Sequence, residues 1–294
     1  MGRFAAGQGH EVFGVARSSQ GPAAWPGEFA TADVARSDLA GSLAHFQPDV
    51  VLHAAGSASV GASFSNPPDD FRANVETLTN VLDGVRRGWP GCAVIILSSA
   101  AVYGNPERLP VNEEQPLRPL SPYGFHKQAA EVVATGHVAC FGTRVCICRL
   151  FSVFGTAQRR LLVWELVQQL IGPKPTVVLS GTGRESRDYL HIADVASGIL
   201  ALGEKLSRSE PTAYPWIVNL GSGVEMSIAK LASAVQASGK WSKPIEFGGN
   251  LREGDPENWC ADISRLTSLA PYWRQHAFEE RLRGTIAEWV KEAV

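Results

Sequence analysis

The stretch Ala93–Gly104, with the sequence AVIILSSAAVYG, decides the fold, because an unbroken apolar run ends in two serines. A run without polar alternation is typical of a strand that is buried on both faces, and such strands belong to parallel sheets. Its last residues then lie at the carboxyl edge of the sheet, where open α/β sheets bind their ligands. Ser99 is therefore predicted to lie at a ligand site.

Other apolar runs extend this pattern along the chain. We predict strands at Glu11–Ala16, Asp49–His53, Ala93–Leu97, Arg144–Leu150 and Trp216–Leu220. Helical segments around Ser37–Phe46, Asp69–Arg87 and Ser121–Ala139 separate the first four strands. This alternation predicts an α/β fold with a doubly wound parallel sheet and right-handed crossovers.

The second half of the chain has a looser pattern. The predicted elements are a helix near Arg160–Leu170, a strand at Thr176–Leu179, a helix that begins at Asp188–His191 and runs through Leu202, a helix at Ser227–Ala237 capped by Ser227, and an amphipathic helix at Glu279–Val294. We see no internal repeat or low-complexity segment.

Composition excludes several classes of function. The 294 residues carry a net charge of -2, which gives no basic surface for nucleic acid. The 5 cysteines have no metal-ligand spacing, so no metal site is predicted. No apolar run is long enough to span a membrane. An odd cysteine count and the absence of a signal peptide predict a cytoplasmic protein.

The segment Tyr123-Gly-Phe-His-Lys127 predicts chemistry at the sheet edge. Residues four apart on a helix share one face, so the Tyr and Lys side chains lie together. Tyr123 would act as acid/base, Lys127 would lower its pKa from about 10, and Ser99 would hydrogen-bond the reacting oxygen. The alternative is a partly buried tyrosine below a solvated lysine.

Several ordered segments resemble those of the extended short-chain dehydrogenase/reductase family, which contains sugar-nucleotide epimerases, dehydratases and reductases. The segments that carry the resemblance are His53–Gly56, Asn74-Val75, Ser98–Gly104, Tyr123–Lys127, Arg187–Asp194 and Arg252–Asp255. The resemblance covers nearly the whole chain. It implies a Rossmann-like NAD(P)-binding domain over residues 1–155 and a smaller α/β substrate domain over residues 156–294, with some segments returning to the first sheet.

The resemblance also implies the binding residues. The residues expected at NAD or NADP are Arg17, Asp33, Val34, Ala54, Ala55, Gly56, Asn74, Tyr123 and Lys127. Those expected at a nucleoside-diphosphate sugar are Ser99, Ser152, Arg187, Arg252 and Asp255. Each arginine could instead be a solvated surface charge, and Asp255 could simply form a turn. Arg17 at a strand end suits a 2′-phosphate, which favours NADP, but both cofactors stay open.

A homodimer is implied as well, through the helices at Asp69–Arg87 and Ser121–Ala139. Apolar or small residues recur there at helical spacing: Phe71, Val75, Leu78 and Leu82 on one helix, and Ala129, Val132, Val133 and Gly136 on the other. The alternative is that these stripes face only their own sheet.

Three departures from the family pattern affect the expectations. Gly2, Gly7 and Gly9 follow no strand, so the first strand and the glycine-rich phosphate loop are missing from the predicted pattern. We expect a truncated family member, or else a protein that has lost cofactor binding. A chain with this start should bind NAD(P) weakly.

The other departures concern the chemistry. Ala100 and Ala101 replace the Asp-Glu pair of the dehydratases, which disfavours water elimination. Ser152 replaces the usual Asn, and Gly155-Thr156 replaces Gly-Pro, near the expected sugar.

These observations predict a nucleotide-sugar 4-epimerase that oxidises C4 transiently with bound NAD(P). One alternative is an NADPH-dependent nucleotide-sugar 4-ketoreductase, which needs the same three residues. The alternative of another class is a non-catalytic sugar-nucleotide-binding remnant.

Overall fold

Four parallel strands form the central sheet of the computed structural model, which describes residues 1–18, 25–250 and 253–292. In chain order these strands are β3 (Val50–His53), β4 (Ala93–Ser99), β5 (Arg144–Leu150) and β9 (Trp216–Leu220), and they stand side by side in that order. The predicted strands at 144–150 and 216–220 are confirmed to the residue, and the strand at 93–97 extends to Ser99. All the pairings are parallel, as continuous apolar runs require.

A separate parallel pair precedes this sheet in the chain. It consists of β1 (Phe13–Ala16) and β2 (Glu28–Thr31), which we call the outer pair. Among the described residues, no strand pairing joins the outer pair to β3. Phe13, Val15 and Ala30 nevertheless pack on the same hydrophobic core as the central sheet. Packing of side chains therefore holds this part against the rest of the domain.

Helices cover both faces of the central sheet, as a doubly wound fold requires. The helices of the first half are α1 (Gly2–Gly7), α2 (Leu39–Ser42), α3 (Val60–Ser65), α4 (Pro67–Phe71), α5 (Thr77–Gly88) and α6 (Pro122–Phe141). Helices α5 and α6 pack on one face, and the later helix α8 (Ile192–Ser207) packs on the other.

Two predicted helices differ from the observed ones. The single helix predicted at 69–87 is α4 and α5 joined by a π-helical turn, Arg72–Glu76. Such turns are frequent at functional sites, and Asn74 lies in this one. The helix predicted at 37–46 is only the single turn α2.

The second half of the chain forms two small sheets. Strands β6 (Ser152–Phe154), β8 (Ser186–His191) and β10 (Glu225–Ser227) form one, and β7 (Val177–Leu179) and β11 (Ile245–Phe247) form the other. The remaining helices are α7 (Leu161–Ile171), α9 (Ile228–Gly239), α10 (Ser264–Leu269) and α11 (Phe278–Glu292). The prediction that Ser227 caps α9 is confirmed, because its hydroxyl accepts the Lys230 N–H at 3.2 Å.

The helix predicted to begin at Asp188–His191 is wrong in its first residues. Residues 186–191 form strand β8, which pairs with β6 and β10, and α8 begins only at Ile192. The physical reason is that β6 and β10, from other parts of the chain, pair with these residues, and that the His191 ring accepts the Ala193 N–H at 3.2 Å and caps α8 at its start.

Candidate active site

Ser99 and Tyr123 meet where β4 ends and α6 begins. Ser99 is the last residue of β4, and its side chain faces the Tyr123 hydroxyl, on whose pKa it has a lowering influence. The Ala101 N–H donates to Ser99 Oγ at 3.1 Å, which fixes that oxygen. The two residues predicted at the reacting oxygen are therefore brought together.

The start of α6 is built to place Tyr123 there. Ser121 caps the helix by accepting the Gly124 N–H at 3.2 Å, and the Tyr123 N–H donates to Ser63 Oγ at 3.0 Å. A Cβ on Gly124 would lie 2.8 Å from the Ala101 carbonyl oxygen. The helix can therefore approach the turn after β4 closely only because residue 124 has no side chain.

Lys127 completes the predicted cluster. Its Nζ donates to the Leu97 carbonyl oxygen at 2.9 Å and lies 5.8 Å from the centre of the Tyr123 ring. Burial lowers the pKa of Lys127 to about 8. The ammonium thus lies beside the phenol, as the spacing predicted.

The charge balance of Tyr123 differs from the prediction. Burial raises the pKa of Tyr123, and the Ser99 side chain and the positive charge of Arg160 act in the opposite direction. The predicted net lowering by Lys127 is wrong, because desolvation of the phenolate outweighs the groups that favour it. Arg160, at the start of α7, is the positively charged group that acts on Tyr123.

The end of β3 fits the nicotinamide half of NAD(P). Ala54, Ala55 and Gly56 follow β3 and are exposed at the carboxyl edge of the sheet. Asn74 is buried, and its Oδ1 has no hydrogen-bond partner among the described residues. That oxygen lies 2.8 Å from where a Cβ on Gly56 would be, so it faces the exposed loop after β3. A buried acceptor without a partner is costly, and a bound polar group would satisfy it.

The adenine end of the expected cofactor site lies at the outer pair. Arg17 directly follows β1 and is exposed, and Asp33 Oδ1 accepts the Ala35 N–H at 3.1 Å in a turn after β2. The Val34 side chain packs on the core, while its carbonyl oxygen accepts from Asn80 Nδ2 at 2.7 Å. Among the described residues between β1 and β3, no glycine-rich turn leads from a strand into a helix, so these residues do not fit a pyrophosphate. Weak cofactor binding stays a prediction.

Apart from Ser99, the expected substrate residues that the structure describes lie on β6, on β8 and in the segment that contains Asp255. The Arg187 guanidinium donates to the Ser186 and Glu257 carbonyl oxygens at 2.8 and 3.2 Å and stacks on Trp259 at 5.5 Å. The charge of Asp255 acts on Arg187, whose pKa is lowered by burial. Ser152 is half-buried in β6 opposite Tyr189. Arg252 lies outside the described residues.

Gly254 joins this segment to the start of α6. Its φ is +80°, and a Cβ there would lie 2.9 Å from Phe64, 3.0 Å from Val60 and 3.1 Å from Ser121. The segment that contains Asp255 therefore packs directly against Ser121, the N-cap residue of α6.

Sequence reasoning missed a histidine–aspartate pair beside the site. The His126 Nδ1 lies 2.6 Å from Asp70 Oδ2. The Asp70 side chain is only 3% exposed, and its charge raises the pKa values of both Tyr123 and Lys127. The available signal was the position of His126, three residues after Tyr123 on one helix face.

His53 was named only as part of a motif. It is buried at the end of β3, and burial together with the Lys127 charge lowers its pKa to about 4. The ring is therefore neutral at neutral pH.

A doubly wound parallel sheet with a Ser–Tyr–Lys cluster at the carboxyl ends of its strands defines an enzyme of the short-chain dehydrogenase/reductase class. The chain belongs to the NAD dependent epimerase/dehydratase family, whose model matches residues 2–221. The family predicted from the motifs is confirmed, and the predicted cofactor class, NAD or NADP, fits the family.

Named relatives agree with this family. The chain is 28% identical over 274 residues to a putative UDP-glucose 4-epimerase of Methanocaldococcus jannaschii, which covers 90% of this chain and 84% of the relative. It is 29% identical over 263 residues to the UDP-glucose 4-epimerase of Mycolicibacterium smegmatis, covering 88% of this chain and 82% of the relative.

The fold is shared with a solved UDP-glucose 4-epimerase from Stenotrophomonas maltophila, described with bound NAD and formylated UDP-arabinopyranose. The TM-score is 0.87 at 24% identity, over 99% of this chain and 94% of the other.

The described residues contain neither a metal-ligand cluster nor a membrane-spanning helix. No cluster of three or more His, Cys, Asp or Glu side chains there could hold a metal ion. Within the same ranges, no helix combines the length and the apolar character needed to cross a membrane.

Proposed function

We propose that this protein is a nucleotide-sugar 4-epimerase that uses Ser99, Tyr123 and Lys127 with bound NAD(P). The observation that carries the proposal is that the Ser99 side chain faces the Tyr123 hydroxyl, with the Lys127 ammonium 5.8 Å from the centre of the ring. The UDP-glucose 4-epimerases among its relatives support C4 of a nucleoside-diphosphate sugar as the reacting atom.

The side chains of this chain divide the proton chemistry. Tyr123, as phenolate, accepts the proton of the sugar 4-hydroxyl, and Ser99 hydrogen-bonds the same oxygen and holds it in place. A bound nicotinamide would supply the hydride acceptor and donor for C4. After the keto sugar has turned over, Tyr123 returns its proton to the oxygen, so that no net proton is consumed. The Lys127 ammonium lies 5.8 Å from the centre of the Tyr123 ring, where burial nevertheless keeps the pKa of the phenol raised.

The proposed cofactor residues lie at two places. Ala54, Ala55, Gly56 and the unpartnered Asn74 oxygen would receive the nicotinamide end, and Lys127 would bond its ribose. The residues proposed for the adenine end are Arg17, Asp33 and Val34.

The proposed substrate residues would hold the nucleotide and the sugar. Arg187 and Arg252 would pair with the diphosphate, because guanidinium groups bind phosphate oxygens bidentately. Asp255 would accept from a ribose hydroxyl, and Ser152 would lie near the sugar. The domain boundary at residue 155 belongs to the same proposal.

A second candidate is an NADPH-dependent nucleotide-sugar 4-ketoreductase. The observation in its favour is the exposed Arg17 directly after β1, which suits the 2′-phosphate of NADP. Dehydration is disfavoured, because Ala100 and Ala101 form the turn after Ser99 and carry no acid.

The test is to incubate the protein with UDP-glucose and NAD and to follow the C4 epimer by proton NMR. UDP-glucuronate and UDP-N-acetylglucosamine extend the substrate series, and Tyr123→Phe is the control. Consumption of NADPH with a 4-keto sugar nucleotide would instead support the reductase. If the protein binds the cofactor but catalyses neither reaction, both proposals are contradicted.

A cytoplasmic homodimer is also part of the proposal. The two predicted apolar stripes differ in exposure. Val75, Leu78 and Leu82 of the first stripe are buried in the core of their own chain, whereas Val132 on α6 is 66% exposed. Phe125 on the same helix is 56% exposed, so α6 keeps an apolar outer face. Light scattering should give the mass of a dimer at micromolar concentration, and a monomer at high concentration would contradict the pairing.

A further inference from the structure

A buried ion pair lies directly behind the proposed acid/base cluster. Arg149 on β5 donates from Nε and Nη2 to the two carboxylate oxygens of Glu131 on α6, at 3.0 and 2.7 Å. Arg149 is 3% exposed and Glu131 is 5% exposed. Taking two charges out of water costs several kcal/mol for each ion, so a buried pair is weak grounds for stability. The pair therefore calls for another role.

Three consecutive residues of β4 connect this pair to the catalytic residues. The Leu97 carbonyl accepts from Lys127, Ser98 Oγ donates to Glu131 at 2.6 Å, and the Ser99 side chain faces the Tyr123 hydroxyl. We call this set of contacts the strand–helix junction. Lys127 and Glu131 are one helical turn apart, so the Glu131 contact fixes the same helix face that presents Lys127.

The third guanidinium nitrogen of Arg149, Nη1, also has hydrogen-bond acceptors. Its Nη1 donates to the Tyr103 hydroxyl at 2.9 Å and to the Glu113 carbonyl oxygen at 3.1 Å. The Tyr103 hydroxyl donates in turn to Asn219 Oδ1 at 2.7 Å. Arg149 is thus held by groups from β9 and from the connection between β4 and α6, and it cannot shift without breaking them.

We propose that Glu131 and Arg149 are positioning residues that fix the axial position and the rotation of α6 relative to β4. They thereby hold Tyr123 opposite Ser99 and Lys127 opposite the Leu97 carbonyl. The pair touches neither the proposed substrate nor the proposed cofactor, and it acts through Ser98 and the helix. This inference rests on the proposed function, because it assigns a role within the same site.

A merely structural role predicts a different result. Apolar residues of similar volume often replace a buried ion pair without loss of stability. The double variant Glu131→Met/Arg149→Met should therefore fold, whereas either single variant leaves a buried charge without its partner. If the pair serves stability alone, the folded double variant should work like the wild type.

The first measurement is steady-state kinetics of the double variant, with unfolding by urea as the check on folding. We expect kcat to fall about 10- to 100-fold, as for small misplacements of catalytic groups, with an unchanged KM for the sugar nucleotide. Arg149→Lys keeps the charge but loses the forked contact, and it should recover part of the rate. Wild-type kcat in a folded double variant would overturn the proposal.

A second measurement needs no turnover and separates this inference from the proposed function. The phenolate absorbance of Tyr123 is obtained as the difference between each protein and its Tyr123→Phe counterpart. We expect Tyr123 of the double variant to titrate at higher pH than in the wild type, because the Ser99 side chain that favours the phenolate is no longer held opposite the Tyr123 hydroxyl.

Arg281→Met is the matched control, since it breaks an ion pair to the buried Asp194 outside the junction. Its Tyr123 titration should match that of the wild type. An unchanged titration in the folded double variant would overturn the inference even if the wild type proves to have no 4-epimerase activity.

Discussion

The strand–helix junction and the outer pair are held to the molecule in different ways. At the junction, Leu97 and Ser98 of a buried strand are hydrogen-bonded to α6, and Ser99 faces Tyr123 on the same helix. The outer pair has strands of four residues each, and among the described residues it contacts the rest through packing of Phe13, Val15 and Ala30 and through an exposed ion pair between Glu28 and His45. The difference teaches that the groups proposed for proton transfer stand on a strand and a helix joined by buried hydrogen bonds, whereas the strands that precede the groups proposed for the adenine are held by side-chain packing and a surface ion pair.

The largest expected effect tests the chemistry of the junction. Tyr123→Phe should lower kcat by about 10²- to 10⁴-fold, because a positioned acid/base contributes that much. Binding of the sugar nucleotide should stay close to normal. Steady-state kinetics and calorimetry measure the two quantities, and the exposed Tyr214→Phe serves as the control. A Tyr123→Phe enzyme with more than about a tenth of the wild-type rate would rule out this acid/base.

The next effect compares the stability of the two regions. Ile147 on β5 is fully buried, so Ile147→Ala should cost about 2–5 kcal/mol of the free energy of unfolding. Val15 on β1 is only partly buried, and Val15→Ala should cost about 1 kcal/mol. Urea unfolding of both variants gives the values. Equal losses would mean that the outer pair is as firmly packed as the central sheet.

The third prediction concerns UDP binding by the two arginines proposed to hold the diphosphate. Arg187→Ala and Arg252→Ala should each weaken UDP binding by roughly 1.5–3 kcal/mol, because each removes a charge-assisted contact. That is about 10- to 100-fold in affinity, measured by calorimetry. The exposed Arg184→Ala, three residues before Arg187, is the matched control. Unchanged affinity in both test variants would show that the diphosphate site is misplaced.

The smallest effect concerns pH. The pKa of His53 is about 4 in the folded chain against 6.5 for an ordinary histidine. Between these values the unfolded chain binds a proton that the folded chain does not, so stability falls as pH falls. From pH 6 to pH 5 the loss should be at most about 1.4 kcal/mol.

His53→Gln removes the titrating group and provides the reference. Urea unfolding of both proteins at each pH isolates the His53 contribution. Parallel curves for the wild type and His53→Gln would show that the ring is not held neutral.

The sequence was informative where one physical signal dominated. Continuous apolar runs predicted β5 and β9 to the residue, and the spacing of Tyr123 and Lys127 predicted their shared helix face. Strand β8 was missed because its residues, SRDYLH, include four charged or titratable side chains and no apolar alternation. Its partners β6 and β10, which lie elsewhere in the chain, make it a strand.

The buried polar pairs were beyond sequence reasoning. Arg149 and Glu131 are 18 residues apart, and His126 and Asp70 are 56 apart. No local pattern distinguishes a charged residue of such a pair from a solvated one, because the two residues come into contact only in the folded chain. The pKa of Tyr123 was misjudged for the same reason, since burial is a tertiary property.

The contact of Gly254 has a consequence for how this sequence can change over generations. Two independent conditions apply at that position, a φ of +80° and three side chains within 3.1 Å of a Cβ. A mutation there would strain the backbone and collide with Phe64 and Val60 at once. Accepting it would require a second, simultaneous change on α3, which makes the path improbable for single-step drift. The neighbouring Glu253 is exposed and free of this restriction, so variation in this segment is expected to accumulate beside the glycine and to spare it.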